Sequence, residues 1–294
     1  MRGRIIKGIA GFYYVFTVGS GIWQCRARGI FRKDGKKPLV GDEVEIEITD
    51  EADREASVTE IYPRKNELIR PSVANVDQAM ILFAIASPDP DALLLDRFLV
   101  MMERQNVPVF LCFNKLDLDG GGLAEHWKQI YESCGYDVLL LSARMDTGSD
   151  ELRARLAGKI TVMAGPSGVG KSSITNLMQG TDVMETGEIS RKLRRGKNTT
   201  RHSELIMLDD TTMICDTPGF TSLYIPDMQK EDLRFCYPEF SEYEGTCRFS
   251  GCVHISEPGC AVKAALQAGR ISNERYSSYK KLYQELDDQE KRRY

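Results

Sequence analysis

Over residues 1–68 the β-branched and aromatic positions come in short runs broken by Gly, Asp and Pro. Ile5 to Val18, Ile22 to Phe31, Glu43 to Ile48 and Ser57 to Ile61 have this texture, with turn signals at Lys36-Lys37-Pro38 and Gly41-Asp42. About five short strands in so short a stretch predict a small β-barrel of OB-fold type. From Val76 the pattern lengthens. Apolar runs at Ala79–Ala86, Val107–Phe113, Val138–Leu141 and Lys159–Ala164 read as buried strands, with a strand pair at Glu204–Leu208 and Thr212–Cys215. Between them Asp91–Gln105, Leu123–Cys134, Asp150–Leu156 and Lys171–Gln179 carry apolar residues at helical spacing. This alternation predicts a mostly parallel sheet with helices on both faces, and the Met and Leu stripes on the helices are core. After Ile225 the periodicity breaks. A Gly-, Cys- and Ser-rich stretch over 245–260 leads into helices at Val262–Ala268 and Asn273–Arg293, the last with Tyr276, Tyr279, Leu282, Tyr283 and Leu286 on one side. The expected organisation is therefore multidomain α/β: an OB-fold barrel over 1–68, the α/β domain over 69–225, and a helical, cysteine-bearing domain over 226–294.

Length and composition agree with this. At 294 residues the chain exceeds a single ordinary core. A net charge of −4 gives no global attraction for nucleic acid, so any RNA contact must come from local basic patches. One such patch is Arg26, Arg28, Arg32, Lys33, Lys36 and Lys37 near Trp23 and Phe31. Its bland alternative is a solvated strand face. Lys7 interrupts the apolar opening and no cleavage-site pattern follows, which argues against a signal peptide; no stretch is long and apolar enough to span a bilayer. Eight scattered cysteines, three of them clustered beside a histidine, read as metal spacing in a reducing cytoplasm rather than a disulfide framework.

Four elements carry phosphate and base chemistry. Gly165-Pro166-Ser167-Gly168-Val169-Gly170-Lys171-Ser172-Ser173 contains G-x-x-x-x-G-K-[ST] between an apolar strand and a helix. Such a loop turns backbone N–H groups onto phosphate oxygens; Lys171 would neutralise the β- and γ-phosphates and Ser172 would ligate Mg²⁺. Nucleoside monophosphate kinases carry similar loops, so this element alone does not name a reaction. Asn114-Lys115-Leu116-Asp117 follows a buried strand and matches N-K-x-D. The Asp117 carboxylate can accept from both N1–H and N2–H₂ of guanine, a donor pair adenine lacks, and its unpaired acceptor would reject the wrong base. Ser142-Ala143-Arg144 resembles the S-A-K element that meets guanine O6. Asp216-Thr217-Pro218-Gly219 matches D-x-x-G, with Asp216 toward Mg²⁺ and Gly219 toward the γ-phosphate, and Thr199-Thr200 lies where a nucleotide-sensing loop supplies a threonine to Mg²⁺ and the γ-phosphate. The order is unusual: the base-reading elements precede the phosphate loop, as if the chain had been cut after D-x-x-G and rejoined through 145–160. Such order predicts a circularly permuted G domain that binds GTP and GDP.

Cys247-x₄-Cys252-x-His254-x₅-Cys260 offers three thiols and one imidazole, the closed four-ligand set of a structural Zn²⁺. Coordination would supply folding energy that this core-poor segment lacks. Five basic residues between Arg191 and Lys197, just before Thr199, suggest contact with an RNA backbone or a solvated mobile loop.

A barrel, a permuted GTPase domain and a Cys-Cys-His-Cys segment together resemble the bacterial RsgA (YjeQ/YloQ) ribosome-biogenesis GTPases over nearly the whole chain. The resemblance implies binding to the small ribosomal subunit, contact of the flanking domains with its 16S rRNA, and GTP hydrolysis stimulated by the subunit in late maturation; a cytoplasmic monomer is expected. Where family members tend to carry a histidine before the threonine pair this chain has Asn198, and Phe220 stands where Ras-like enzymes carry a water-orienting Gln. Slow intrinsic hydrolysis completed by rRNA or loop rearrangement is the expectation. Two other classes stay open on the residues alone: a P-loop nucleotide kinase, and an RNA scaffold that holds GTP without turning it over.

Overall fold

The computed structural model describes residues 1–28, 31, 37–69, 71–180, 203–216 and 228–293, which fold as two compact units. One comprises residues 1–78, 150–163 and the described part of 171–216; the other comprises 79–149, 164–170 and the described residues from Met228 onward. The strands are β1 (Arg2–Ile9), β2 (Phe12–Thr17), β3 (Gly21–Ala27), β4 (Glu43–Asp50), β5 (Glu55–Ile61), β6 (Glu67–Leu68), β7 (Val73–Ala74), β8 (Gln78–Ala84), β9 (Val109–Asn114), β10 (Asp137–Leu140), β11 (Ile160–Ala164), β12 (Glu204–Met207) and β13 (Met213–Asp216). The α-helices are α1 (Ala92–Arg104), α2 (Leu123–Glu132), α3 (Ser149–Leu156), α4 (Lys171–Gln179), α5 (Ala261–Gln267) and α6 (Asn273–Arg293).

In the first unit, β1, β2, β3, β5 and β4 pair in that order and β4 returns to β1, closing a five-stranded barrel in which only β3 and β5 run parallel. Ile5, Val15, Trp23, Cys25, Val44, Ile46, Ala56 and Val58 fill it. This is the OB-type barrel expected from the sequence, with two differences. The run from Ile5 to Val18 is a hairpin, because Ala10 and Gly11 adopt φ of 50° and 87°, the positive-φ pair whose twist suits a tight hairpin. Alanine is an uncommon choice there, so Gly11 alone marks the turn within the run. Trp23, placed on an RNA-facing surface from sequence, is 4% exposed and belongs to the core.

The barrel does not end at β1. Within the same unit the order continues β1-β12-β13-β11, with β12 antiparallel to both neighbours and β11 parallel to β13. Lys7 sits opposite Glu204, and their side chains form a 2.8 Å ion pair. Helix α4 follows β11, and the Arg153 guanidinium of α3 donates to the Leu177 and Met178 carbonyls at 2.8 and 3.0 Å. This satisfies acceptors that the last turn of α4 leaves open.

In the second unit β8, β9 and β10 are parallel neighbours, connected through α1 and α2. Such strands are buried on both faces, and every residue of β8 is accordingly buried. Asp91 caps α1 by accepting from the Leu94 amide at 3.2 Å, and Leu95, Phe98, Leu99 and Met102 face inward, the core role expected of these stripes. Beyond Met228 two 3₁₀ helices, Lys230–Cys236 and Pro238–Tyr243, precede α5 and α6. Leu233, Tyr237, Phe240, Val262, Tyr276, Tyr279, Leu282 and Leu286 form one core with Val100 of α1. Tyr237 and Phe240 stack at 5.2 Å and Tyr279 meets both edge-on, the packing aromatic quadrupoles prefer.

Candidate functional site

Strand β9 delivers Asn114 to the end of the second unit's sheet, 2% exposed. Its amide joins two loops: Nδ2 donates to the Val169 carbonyl at 2.9 Å, and Oδ1 accepts from the Ala143 amide at 3.0 Å. The next residue, Lys115, turns at φ 63° and its ammonium donates to the Ser87 carbonyl. That left-handed residue starts the 3₁₀ turn Leu116–Leu118, which presents Asp117 at the surface. The Ser142 hydroxyl donates to Asp117 Oδ1 at 2.5 Å and accepts from the Met145 amide at 3.2 Å. A charge-assisted bond of this length fixes the carboxylate's orientation while its other oxygen remains to face a ligand.

The loop after β11 needs glycine at both of its anchoring positions. Gly165 adopts φ 154°, and a Cβ there would run into the Leu82 carbonyl; Gly170 adopts φ 100°, and its Cβ would meet the Asn114 amide. Between them Val169 is fully buried, Pro166 half-buried, and Ser167 and Gly168 exposed. Lys171 opens helix α4, with Ser172 and Ser173 exposed in its first turn. Strand, glycine loop and helix N-terminus are the parts an anion-binding turn requires. The fit is a cradle that side chains would fill.

Asp216 closes β13, next to β11 in the sheet order. Thr199, Thr200, Asn198, the basic residues 191–197, Thr217, Pro218, Gly219 and Phe220 lie outside the described residues, as do Arg32, Lys33 and Lys36. Of the remaining basic barrel residues, Arg26 lies over the Phe12 ring at 4.8 Å and Arg28 pairs with Glu47.

The four predicted metal ligands come together. One donor atom each from Cys247, Cys252, His254 and Cys260 lies within 4.8 Å of the others; Cys247 is half-buried and the rest buried. His254 Nδ1 is 3.4 Å from Cys260 Sγ and 3.7 Å from Cys247 Sγ, while Nε2 is 3.4 Å from Glu244 Oε1. That carboxylate orients the ring so that Nδ1 faces the thiols, the role outer partners play around a metal. The Ala261 and Lys263 amides point at Cys247 and Cys260 sulfurs, at 3.3 and 3.5 Å. Tyr276 and Tyr279 of α6 donate to the His254 and Val253 carbonyls at 2.7 and 2.6 Å. Burial pushes the Cys252 thiol up to about 12 and raises Cys260, and it lowers His254. Sequence reading missed Glu244, Tyr276, Tyr279 and the hydroxyl of Ser142 as partners, since none has a characteristic spacing from the groups it supports.

A parallel sheet bearing a G-x-x-x-x-G-K-S loop and an N-K-x-D turn, with the N-K-x-D turn earlier in the chain, defines the class: a circularly permuted P-loop GTPase. The RsgA GTPase family model matches residues 61–226 and the RsgA N-terminal domain model matches residues 2–54. The chain belongs to the RsgA GTPase family. It is 54% identical, over 301 residues, to a protein of Agathobacter rectalis named small ribosomal subunit biogenesis GTPase RsgA, covering 99% of this chain and 100% of that one. A relative of the same name from Alkaliphilus metalliredigens is 47% identical, with 97% of each chain covered. Among solved structures, YloQ, described as a circularly permuted GTPase, superposes with a TM-score of 0.79 at 38% identity over 98% of this chain and 95% of its own. YjeQ from Thermotoga maritima gives 0.82 at 34% identity over 97% and 98%.

Proposed function

We propose that this chain hydrolyses GTP to GDP and phosphate and acts in late maturation of the small ribosomal subunit, contacting its 16S rRNA. The observation that carries the reading is Asn114, whose one side chain is bonded to the glycine loop at Val169 and to the Ser142-Ala143 loop. A base-reading turn tied in this way to a phosphate cradle suits one ligand with a purine at one end and phosphates at the other. Asp117 would accept from guanine N1–H and N2–H₂, with Ser142 holding its second oxygen, Leu116 and the Lys115 stem beside the purine, and the Ala143 amide toward O6. The amides from Gly165 to Gly170 and those of Lys171 to Ser173 would bind phosphate oxygens, and the Lys171 ammonium would neutralise them. Ser172 and Thr200 would hold Mg²⁺, with Asp216 acting through water. An ion held there would shield the phosphate charge, and hydrolysis would join a water oxygen to the γ-phosphorus as its bond to the β-phosphate oxygen breaks. Thr199 or Thr200 and the Gly219 amide would sense the γ-phosphate.

Cys247, Cys252, His254 and Cys260 would hold one structural Zn²⁺, whose contribution is to fold the segment around them. The barrel over 1–68 and the region over 226–294 would then flank a G domain over 69–225 as the rRNA-contacting parts of a cytoplasmic monomer. Phosphate release measured with and without purified small subunits tests the whole reading. Stimulated release with GTP, and none with ATP, is expected. Transfer of phosphate to a nucleoside acceptor would instead make the protein a kinase, and GTP binding without release would make it a scaffold.

A further inference from the structure

Helix α6 carries a charged residue that its sequence context gives no reason to bury. Arg275 is 1% exposed, and its guanidinium donates to Asp96 Oδ1 of α1 at 2.6 Å and to both carboxylate oxygens of Glu239 at 2.7 and 3.0 Å. Burial works against the charge of Arg275, but the Asp96 and Glu239 carboxylates more than offset it and hold the guanidinium protonated well above its ordinary range. Burial pushes the Asp96 carboxyl up, against the lowering pull of Arg275. The guanidinium also lies 4.4 Å over the Tyr237 ring and 5.5 Å over the Tyr131 ring, and Tyr131 donates its own hydroxyl to Asp96 Oδ1 at 2.9 Å. Desolvating three charges gives little net stability compared with an apolar core of the same shape, so the cluster asks for another explanation.

Tyr131 carries the cluster's hold onward to the strand that bears Asn114. Its ring stacks on Trp127 at 6.2 Å, and both pack against Phe113 at 6.4 and 6.1 Å. Phe113 immediately precedes Asn114 on β9. At the other end of α2, the Asp119 carboxylate accepts from the Leu123 and Ala124 amides at 3.0 and 3.2 Å, two residues beyond Asp117. Arg275 therefore clamps the helix on which both ends of the base-reading turn lean. The same α6 holds the metal cluster's backbone through Tyr276 and Tyr279.

We infer that Arg275 is a positioning residue for guanine recognition, making the docking of α6 and the cysteine segment on α1 and α2 part of what sets nucleotide selectivity. The inference rests on the proposed reading of Asn114–Asp117 as the guanine-binding turn. It predicts that loosening the clamp weakens the contact made by the turn, not the one made by the phosphate loop. Inosine diphosphate lacks the 2-amino group that Asp117 would read, so the ratio of GDP to IDP affinity reports on that turn alone.

The test compares full-length wild type, Arg275→Lys and Val15→Ala, a destabilised variant of the barrel core, for GDP and IDP binding. Arg275→Lys keeps the charge but loses the bidentate hold on Glu239. Its GDP-to-IDP ratio should fall at least about fivefold, while Val15→Ala leaves the ratio where it was. An unchanged ratio in Arg275→Lys, or an equal fall in both variants, overturns the inference. Should Arg275→Lys not fold, reciprocity gives a second measurement on wild type: saturating GDP must slow hydrogen exchange along residues 273–286 by the factor that docking adds to affinity. Identical exchange there with and without GDP also overturns it. A wild type that binds no guanine nucleotide overturns the functional reading beneath it, and the inference with it.

Discussion

Asn114→Ala removes the single amide that joins two loops, so its consequences can be worked from the structure. Two hydrogen bonds are lost, each contributing about 1 kcal/mol net. Of the groups left behind, the carbonyl of Val169 sits in a fully buried residue and finds no water, which costs about 1–3 kcal/mol, whereas the amide of half-buried Ala143 regains solvent. Because the stranded carbonyl's cost replaces the net value of its own bond, it adds to about 1 kcal/mol for the other bond, and the expected loss is about 2–4 kcal/mol in the nucleotide-bound protein, where the loops must keep their places. The empty protein recovers part of this by letting the Ser142-Ala143 loop relax. Whatever it recovers, nucleotide binding must supply again. Stability at saturating GDP should therefore fall by the full amount, and stability without GDP by less. The difference should appear as a dissociation constant raised on the order of tenfold to a hundredfold, at about 1.4 kcal/mol per factor of ten. Denaturant titrations with and without GDP, combined with a fluorescent-nucleotide binding curve, measure all three quantities. A GDP affinity within twofold of wild type, together with unchanged stability in both states, would refute the bridging role.

Asp117→Asn should weaken GTP and gain xanthosine triphosphate, because the new amide can donate to the oxygen xanthine carries at C2; unchanged GTP affinity would remove Asp117 from the base contact. Lys171→Ala should abolish phosphate release while far-ultraviolet circular dichroism stays that of wild type, and retained turnover would show that another cation serves the phosphates. Cys252→Ser should release about one equivalent of zinc and speed hydrogen exchange over 245–293, whereas full zinc content would mean the wrong ligands were chosen. Zinc uptake by the metal-free chain should release protons and weaken as pH falls, since burial keeps Cys252 and Cys260 protonated at neutral pH and the ion must displace those protons. A metal affinity flat between pH 6 and 8 would exclude thiolate coordination.

The elements most legible in the sequence were those whose chemistry is local. The glycine loop declares itself because backbone approach leaves no room for Cβ at Gly165 and Gly170, and the Cys-Cys-His-Cys cluster because its four side chains lie within fourteen residues. The tail helix was equally plain, its tyrosines and leucines recurring at helical spacing. The Arg275 cluster was not. On α6 that arginine looks like one more solvated charge, and its partners Asp96 and Glu239 lie 179 and 36 positions away, with nothing in their own surroundings to mark them. Trp23 misled for the opposite reason: an aromatic beside arginines suits both a base-stacking face and a barrel interior, and only the alternation of β3 decides. The short 3₁₀ helices around Tyr237 and Phe240 escaped because too few turns exist for a period to show.

The pairing of β1 with β12 has a consequence for how this protein can be taken apart. The strand that opens the barrel also finishes the edge of the sheet carrying Asp216, with Lys7 seated on Glu204. A fragment beginning at residue 69 would leave the Glu204 end of β12 without its partner strand and the Glu204 carboxylate unanswered, an opening at which strands of other molecules can pair. Such a fragment should come out of cells as aggregate, however intact its loops. By the same logic a barrel from a distant relative could replace this one only if its first strand brought the right register and a cation to meet Glu204. Exchange of parts between lineages is thereby restricted to donors that already match along one short line of hydrogen bonds.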